Sequence, residues 1–140
     1  MADYPTPTEL IPHRAPFLFV DEILGVTETE VVAQRTFRTD DFFLEGHFPD
    51  DPIVPGVILL EGMAQTFAYY MATREPGSRG VLTGVDRAHF RRPVRPGETV
   101  EYRVVFDGHR HGLVRCSATA WVGEAKVADA KLSGGSPVRR

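Results

Sequence analysis

IVPGVILLEGMAQTFAYYMATREPG, residues 53–77, is the stretch whose reading decides the fold. Proline tolerates a first helical position because its missing N–H has no partner there anyway, so a helix is expected to start at Pro55 or Gly56. It is expected to stop near Glu75, where Pro76 and Gly77 cannot continue it. A membrane span needs roughly 20 predominantly apolar residues, and Pro55, Glu61, Gln65 and Thr66 interrupt this one. The stretch therefore reads as a buried helix of a globular protein. Val57, Ile58, Leu59, Leu60, Met63, Ala64, Phe67, Ala68 and Met71 place apolar side chains nearly all round it, so it must be covered on most sides.

The flanking chain supplies strands. The amino end to about Pro16 is proline-rich and irregular. Phe17–Val26 and Glu30–Arg38 read as extended, and 39–54 as a long loop, a length uncommon in a small domain without a task. After the helix come Val81–Phe90, a turn at Pro93–Gly97, and an alternating strand through Val100, Tyr102, Val104 and Phe106. A hairpin loop at Asp107–Gly112, a return strand Leu113–Val122, a Gly-first turn at Gly123–Glu124 and a strand Ala125–Leu132 complete the pattern. Residues 133–140 read as a loose tail of the single domain 1–140. The expectation is an α+β architecture: five or six antiparallel strands wrapped around one long central helix, with a second copy of the chain as the simplest further cover.

Composition narrows the class. With 42% hydrophobic and 25% charged residues in 140, the chain suits one globular domain. Sixteen basic against nineteen acidic residues give a net charge of −3, which argues against a general nucleic-acid binder. One cysteine, Cys116, excludes an internal disulfide, and the first twenty residues lack a basic, then apolar, leader pattern. A cytoplasmic location is expected.

Two residues resist a purely structural reading. Glu61 lies one and a half turns into the most apolar helix, where a lone carboxylate costs several kcal/mol or is held neutral. His47 lies fourteen positions earlier, in the loop that leads to that helix, and can approach Glu61 directly or across a dimer interface. Between them Gly56 offers a backbone N–H at a helix amino end, where developing negative charge is favoured. A base, a protonated carboxyl and a fixed donor suit proton abstraction beside a carbonyl, with expulsion of a β-hydroxyl. A structural loop histidine and a Glu with a structural partner stand as the alternative.

The wording of residues 46–65, GHFPDDPIVPGVILLEGMAQ, resembles the signature of the β-hydroxyacyl-[acyl-carrier-protein] dehydratases of the FabZ type. Residues 11–21, IPHRAPFLFVD, resemble the family's amino-terminal segment, and 83–94, TGVDRAHFRRPV, followed by Pro96–Gly97–Glu98, its strand after the helix. The resemblance spans roughly 10–132. It implies a hotdog fold and a homodimer, with a trimer of dimers left open, whose two sites each take His47 from one subunit and Glu61 from the other. The implied reaction is reversible dehydration of (3R)-3-hydroxyacyl thioesters on acyl carrier protein to trans-2-enoyl thioesters, in fatty-acid, polyketide or polyene synthesis. His47 would take the C2 proton, Glu61 would assist the departing hydroxyl and the Gly56 N–H would polarise the thioester carbonyl. No metal or organic cofactor is implied beyond the substrate's phosphopantetheine arm. Glu61, where isomerising relatives carry Asp, favours dehydration alone. Gly62 stands where the family usually has alanine, which suggests close packing or a reshaped acyl tunnel.

Other signals carry two readings each. Gln65, one turn past Glu61, either orients that carboxyl or simply packs. Arg87, Arg91, Arg92 and Arg95 either meet the acidic carrier protein or form a solvated strand end. His109 and His111 could share one side of an extended hairpin. Phe48, Met63, Phe67, Tyr69, Tyr70 and Met71 read as core, with one or two lining an acyl channel. The competing functions are a hotdog thioesterase and a non-catalytic subunit of a heteromeric dehydratase.

Overall fold

The computed structural model describes residues 4–77 and 79–135. In chain order it contains α1 (Pro7–Leu10), β1 (Glu22–Val26), β2 (Glu30–Thr36), a 3-10 turn at Phe42–Leu44, α2 (Gly56–Arg74), β3 (Val81–Phe90), β4 (Thr99–Arg110), β5 (Leu113–Val122) and β6 (Ala125–Gly135). All neighbouring strands are antiparallel, in the order β1-β2-β4-β5-β6-β3. The six-stranded sheet wraps α2, the hotdog arrangement. Its inner face is built from small and β-branched residues: Val31 and Ala33 of β2, Val100 and Val104 of β4, Ala118 and Ala120 of β5, Ala128 and Ala130 of β6, all buried. Small side chains there let a helix carrying Leu59, Met63 and Phe67 sit close to the strands, so bulk on one layer meets space on the other.

The sheet covers most of α2 but leaves one stripe. Val57 is 67% exposed and Leu60, Glu61 and Ala64 are half-buried; positions 57, 60, 61 and 64 share a helix face. Beyond that stripe the edge strand β3 shows Val81, Leu82, Val85 and Phe90 to solvent. An apolar helix face and an apolar sheet edge both lack cover in the single chain.

Three local expectations are corrected. The hairpin loop read at 107–112 shrinks to a two-residue turn, His111–Gly112, with φ of 54° and 79° as a type I′ turn demands. The ladder continues past a bulge at Phe106/Gly108 to pair His109 with Val114 and Arg110 with Leu113. His109 thus lies in a strand and His111 in the turn; among the described residues no three His, Cys, Asp or Glu side chains converge as a metal site. Ser133–Gly135 complete β6 against β3 rather than opening a loose tail, and the remainder of that expected tail, 136–140, lies outside the described residues. Strand β1 begins at Glu22, not Phe17, because the backbone of Phe17 and Phe19 bonds to the Gln65 side chain instead of a neighbouring strand.

Of the two meanings open for Gly62, close packing is the one found. A Cβ there would overlap the ring and hydroxyl of Tyr102, which is fully buried on β4 beneath the helix. The Tyr102 hydroxyl has no hydrogen-bond partner, and burial pushes its pKa far up. Gly62→Ala is therefore expected to cost about 1–3 kcal/mol through overpacking, seen as a lower Tm. Tyr102→Phe should leave Tm equal or higher, since it removes a buried polar atom that bonds to nothing. Thermal denaturation of the two variants checks both. Cys116, also buried on the inner face, has its thiol pushed up to about 12 by burial, in keeping with a small apolar role.

Candidate active site

The 39–54 loop is clamped at both ends by arginines. At its entry Arg35, an inward-facing residue of β2, donates to Asp41 at 2.6 Å and to Asp21 at 3.3 Å, with its guanidinium against the rings of Phe19 and Phe37. A buried arginine is tolerated only when so paired. At the exit Arg95 pairs with Asp51, and Val54 N–H donates to Val94 O at 2.8 Å. Between the clamps Phe48 and Asp51 exchange backbone bonds of 3.2 and 3.1 Å, and Ile53 N–H donates to His47 O at 2.9 Å. This loop has the hydrogen bonding of a rigid element.

His47 is held in a defined state by that loop. Its Nδ1 lies 2.8 Å from Ile53 O. A carbonyl oxygen only accepts, so Nδ1 carries a proton, and the neutral tautomer that this bond selects has its lone pair on Nε2. The ring stacks on Phe48 with centroids 4.1 Å apart. Phe48 itself is exposed, which corrects its reading as core. The bond fixes the ring's orientation and leaves Nε2 as the nitrogen that Ile53 O does not engage.

Glu61 is not the lone buried acid that its helix suggests. Its side chain is 27% exposed, and two groups face it. Gln65, fully buried one turn on, donates from Nε2 to Glu61 Oε2 at 3.1 Å. The amide cannot flip: its Oε1 accepts from Phe19 N–H at 2.8 Å while Nε2 also donates to Phe17 O at 3.0 Å. The Gln65 contact is thus present, and Arg35, bonding Leu18 O and Asp21, anchors the segment that fixes it. The second group is His13, with Nε2 3.8 Å from Glu61 Oε2 and a buried Nδ1 that has no partner. Neither His13 nor Arg35 stands out as a site residue in the sequence. The one signal was His13's place within residues 11–21, because its approach to α2 is a long-range contact.

Glu61 opens on a pocket of about 110 Å³ whose other walls include His13, Ala64, Phe67, Ala68, Met71 and Leu82. Phe67 and Met71 thus line this pocket as well as belonging to the core, whereas Met63 and Tyr69 are buried away from it. His47 is not on this pocket: a single chain does not bring base and acid together there. Gly56 opens α2, where the first N–H groups have no intrahelical acceptor, and Phe90 presses against it so closely that a Cβ would lie 3.0 Å from the ring.

The arginine cluster is largely neutralised. Arg91 bonds Asp129 at 2.6 Å, Arg92 pairs with Glu98 at 3.3 Å and Arg95 is committed to Asp51. Burial alone would raise the Asp129 carboxyl; its bonds from Arg91 and His89 outweigh that and hold it below the ordinary range. Among the described residues only Arg87 of the four makes no ion pair. It sits at the β3 bulge with a φ of 53°.

Comparison with known proteins follows the same pattern. A family model described as a FabA-like domain matches residues 11–131. The 3-hydroxyacyl-[acyl-carrier-protein] dehydratase FabZ of Desulfotalea psychrophila is 36% identical over 145 residues, covering 94% of this chain and 97% of the relative. The protein of the same name from Escherichia coli is 39% identical over 129 residues, covering 89% and 85%. Among solved structures, the dehydratase heterocomplex ApeI:P from Xenorhabdus doucetiae superposes with a TM-score of 0.83 at 18% identity, over 98% of this chain and 94% of that one. At that identity the superposition speaks for the fold alone.

Proposed function

The chain belongs to the FabA-like family, and from that premise we propose that it removes water reversibly from (3R)-3-hydroxyacyl thioesters on acyl carrier protein, giving trans-2-enoyl thioesters. The observation that carries the reading is the His47–Ile53 bond, which selects the tautomer whose Nε2 can accept a proton. His47 takes the C2 proton. Glu61, steadied by Gln65, assists the departing hydroxyl directly or through one water. The Gly56 N–H stabilises charge on the thioester oxygen as the C2–H bond breaks. The thioester itself acidifies C2, so this chemistry asks for no metal or organic cofactor.

The working unit in this reading is a homodimer. The uncovered stripe Val57–Leu60–Glu61–Ala64 and the apolar edge of β3 support it, because a second copy would cover both and could bring its own His47 to the Glu61 pocket. Carrier-protein contact falls first to Arg87, the unpaired member of its cluster, with Arg91, Arg92 and Arg95 contributing what charge their carboxylate partners leave. No helix among the described residues is long and apolar enough to cross a membrane.

Incubation with a crotonyl thioester tests the reaction class. Loss of enoyl absorbance without free thiol is expected from hydration in the reverse direction. Release of thiol would replace the dehydratase reading by a thioesterase. An inert protein that gains activity only with a second subunit would replace it by a non-catalytic partner role.

A further inference from the structure

Two cavities meet at one side chain. The Glu61 pocket, about 110 Å³, has Met71 in its wall, ten residues along α2 from Glu61. On the other side of Met71 a groove of about 550 Å³ opens at the C-terminal end of α2, between Tyr70, Phe106 and Val114. Met71 lines both, and it is only 8% exposed. Its methyl end is seated between two bare backbones. A Cβ on Gly80 would lie 2.5 Å from Met71 Cε, and one on Gly134 would lie 3.3 Å from it. These glycines leave the gap that the thioether fills.

We propose that Met71 is a plug that ends the acyl channel and restricts this enzyme to short acyl tails. The inference rests on the dehydratase reading and gives it a substrate size. With the reacting carbons held at Glu61, an acyl tail has one apolar course away from the carboxylate. Positions 61, 64, 68 and 71 follow the same stripe of α2, and helical side chains lean toward the amino end, so Met71 projects back into that course. Ala64 and Ala68 leave room beside the helix and Met71 does not. Beyond it lies a groove about five times larger, with apolar Tyr70, Phe106 and Val114 and polar Arg74, Glu75 and His109 in its walls, that a tail cannot enter while the plug is in place. Methionine suits the position because an unbranched thioether fills an irregular gap that a β-branched residue would not.

The test compares kcat/KM for 3-hydroxybutyryl and 3-hydroxydecanoyl carrier-protein thioesters. The wild-type enzyme is expected to favour the butyryl substrate. Met71→Ala should move the ratio toward the decanoyl substrate by about tenfold or more, chiefly through KM, since each methylene accommodated in an apolar pocket carries a discrimination of that order. Met71→Val, which opens less space, should move it in the same direction by less and serves if the alanine variant does not fold. The plug is overturned if a folded variant active on butyryl shows an unchanged ratio. It is equally overturned if the wild-type enzyme handles both chain lengths alike. A wild-type protein inert on both substrates would instead overturn the dehydratase reading, and the plug with it.

Discussion

Replacing His47 with alanine is expected to lower kcat by about a thousandfold, within the 10²–10⁴ span ordinary for loss of a positioned general base. The fold should survive the change. The loop around His47 is held by Arg35–Asp41, Arg95–Asp51 and its own backbone bonds, none of which uses the imidazole. The informative companion is His47→Asn, whose side-chain N–H can still donate to Ile53 O as Nδ1–H does. Asparagine keeps the tether and removes the base. Turnover as low as that of the alanine variant, with an unchanged melting curve, assigns the loss to proton transfer. Recovery of activity in His47→Asn would show that the histidine only shapes the loop.

Glu61→Gln carries the second large effect, a loss of about 10²–10⁴ in kcat. Glutamine preserves length and can still accept from Gln65, so the packing around α2 should be unaltered. The two variants together address where the site lies. Equal amounts of His47→Ala and Glu61→Gln protein, allowed to exchange subunits, should form mixed dimers in which one of the two sites joins an intact His47 to an intact Glu61. Random exchange makes half of the dimers mixed, so about a quarter of wild-type activity should return. If each site were complete within one chain, mixing would return nothing.

What the sequence disclosed follows from how local each signal is. The limits of α2 were readable because Pro55–Gly56 and Pro76–Gly77 punctuate it, and the Glu61–Gln65 contact because one helical turn fixes that spacing. Residues 113–122 and 125–132 read correctly as strands because their alternation and the Gly123 turn are short-range properties. Most of the misreadings involve partners outside the element being read. His13 meets Glu61 only because the amino-terminal segment crosses α2. The arginine cluster looked free because Asp51, Glu98 and Asp129, which pair with three of its members, come from other segments. Asp107–Gly112 read as loop because the bulge at Gly108 resembles a chain reversal, while the long ladder through His109 and Arg110 depends on β5. The supposed isolation of Glu61 failed for the same reason: a helix viewed alone shows no His13 and no opening.

The contact between Gly62 and Tyr102 also couples what each position can carry. Alanine at 62 is destabilising while the aromatic ring occupies the space beside it, and tyrosine at 102 is destabilising while a methyl group stands in its way. Exchanging one arrangement for the other passes through either an overpacked pair or an unfilled gap, and in a close-packed interior each is destabilising. The two positions are therefore expected to travel together between related proteins, so that the identity of one forecasts the size of the other.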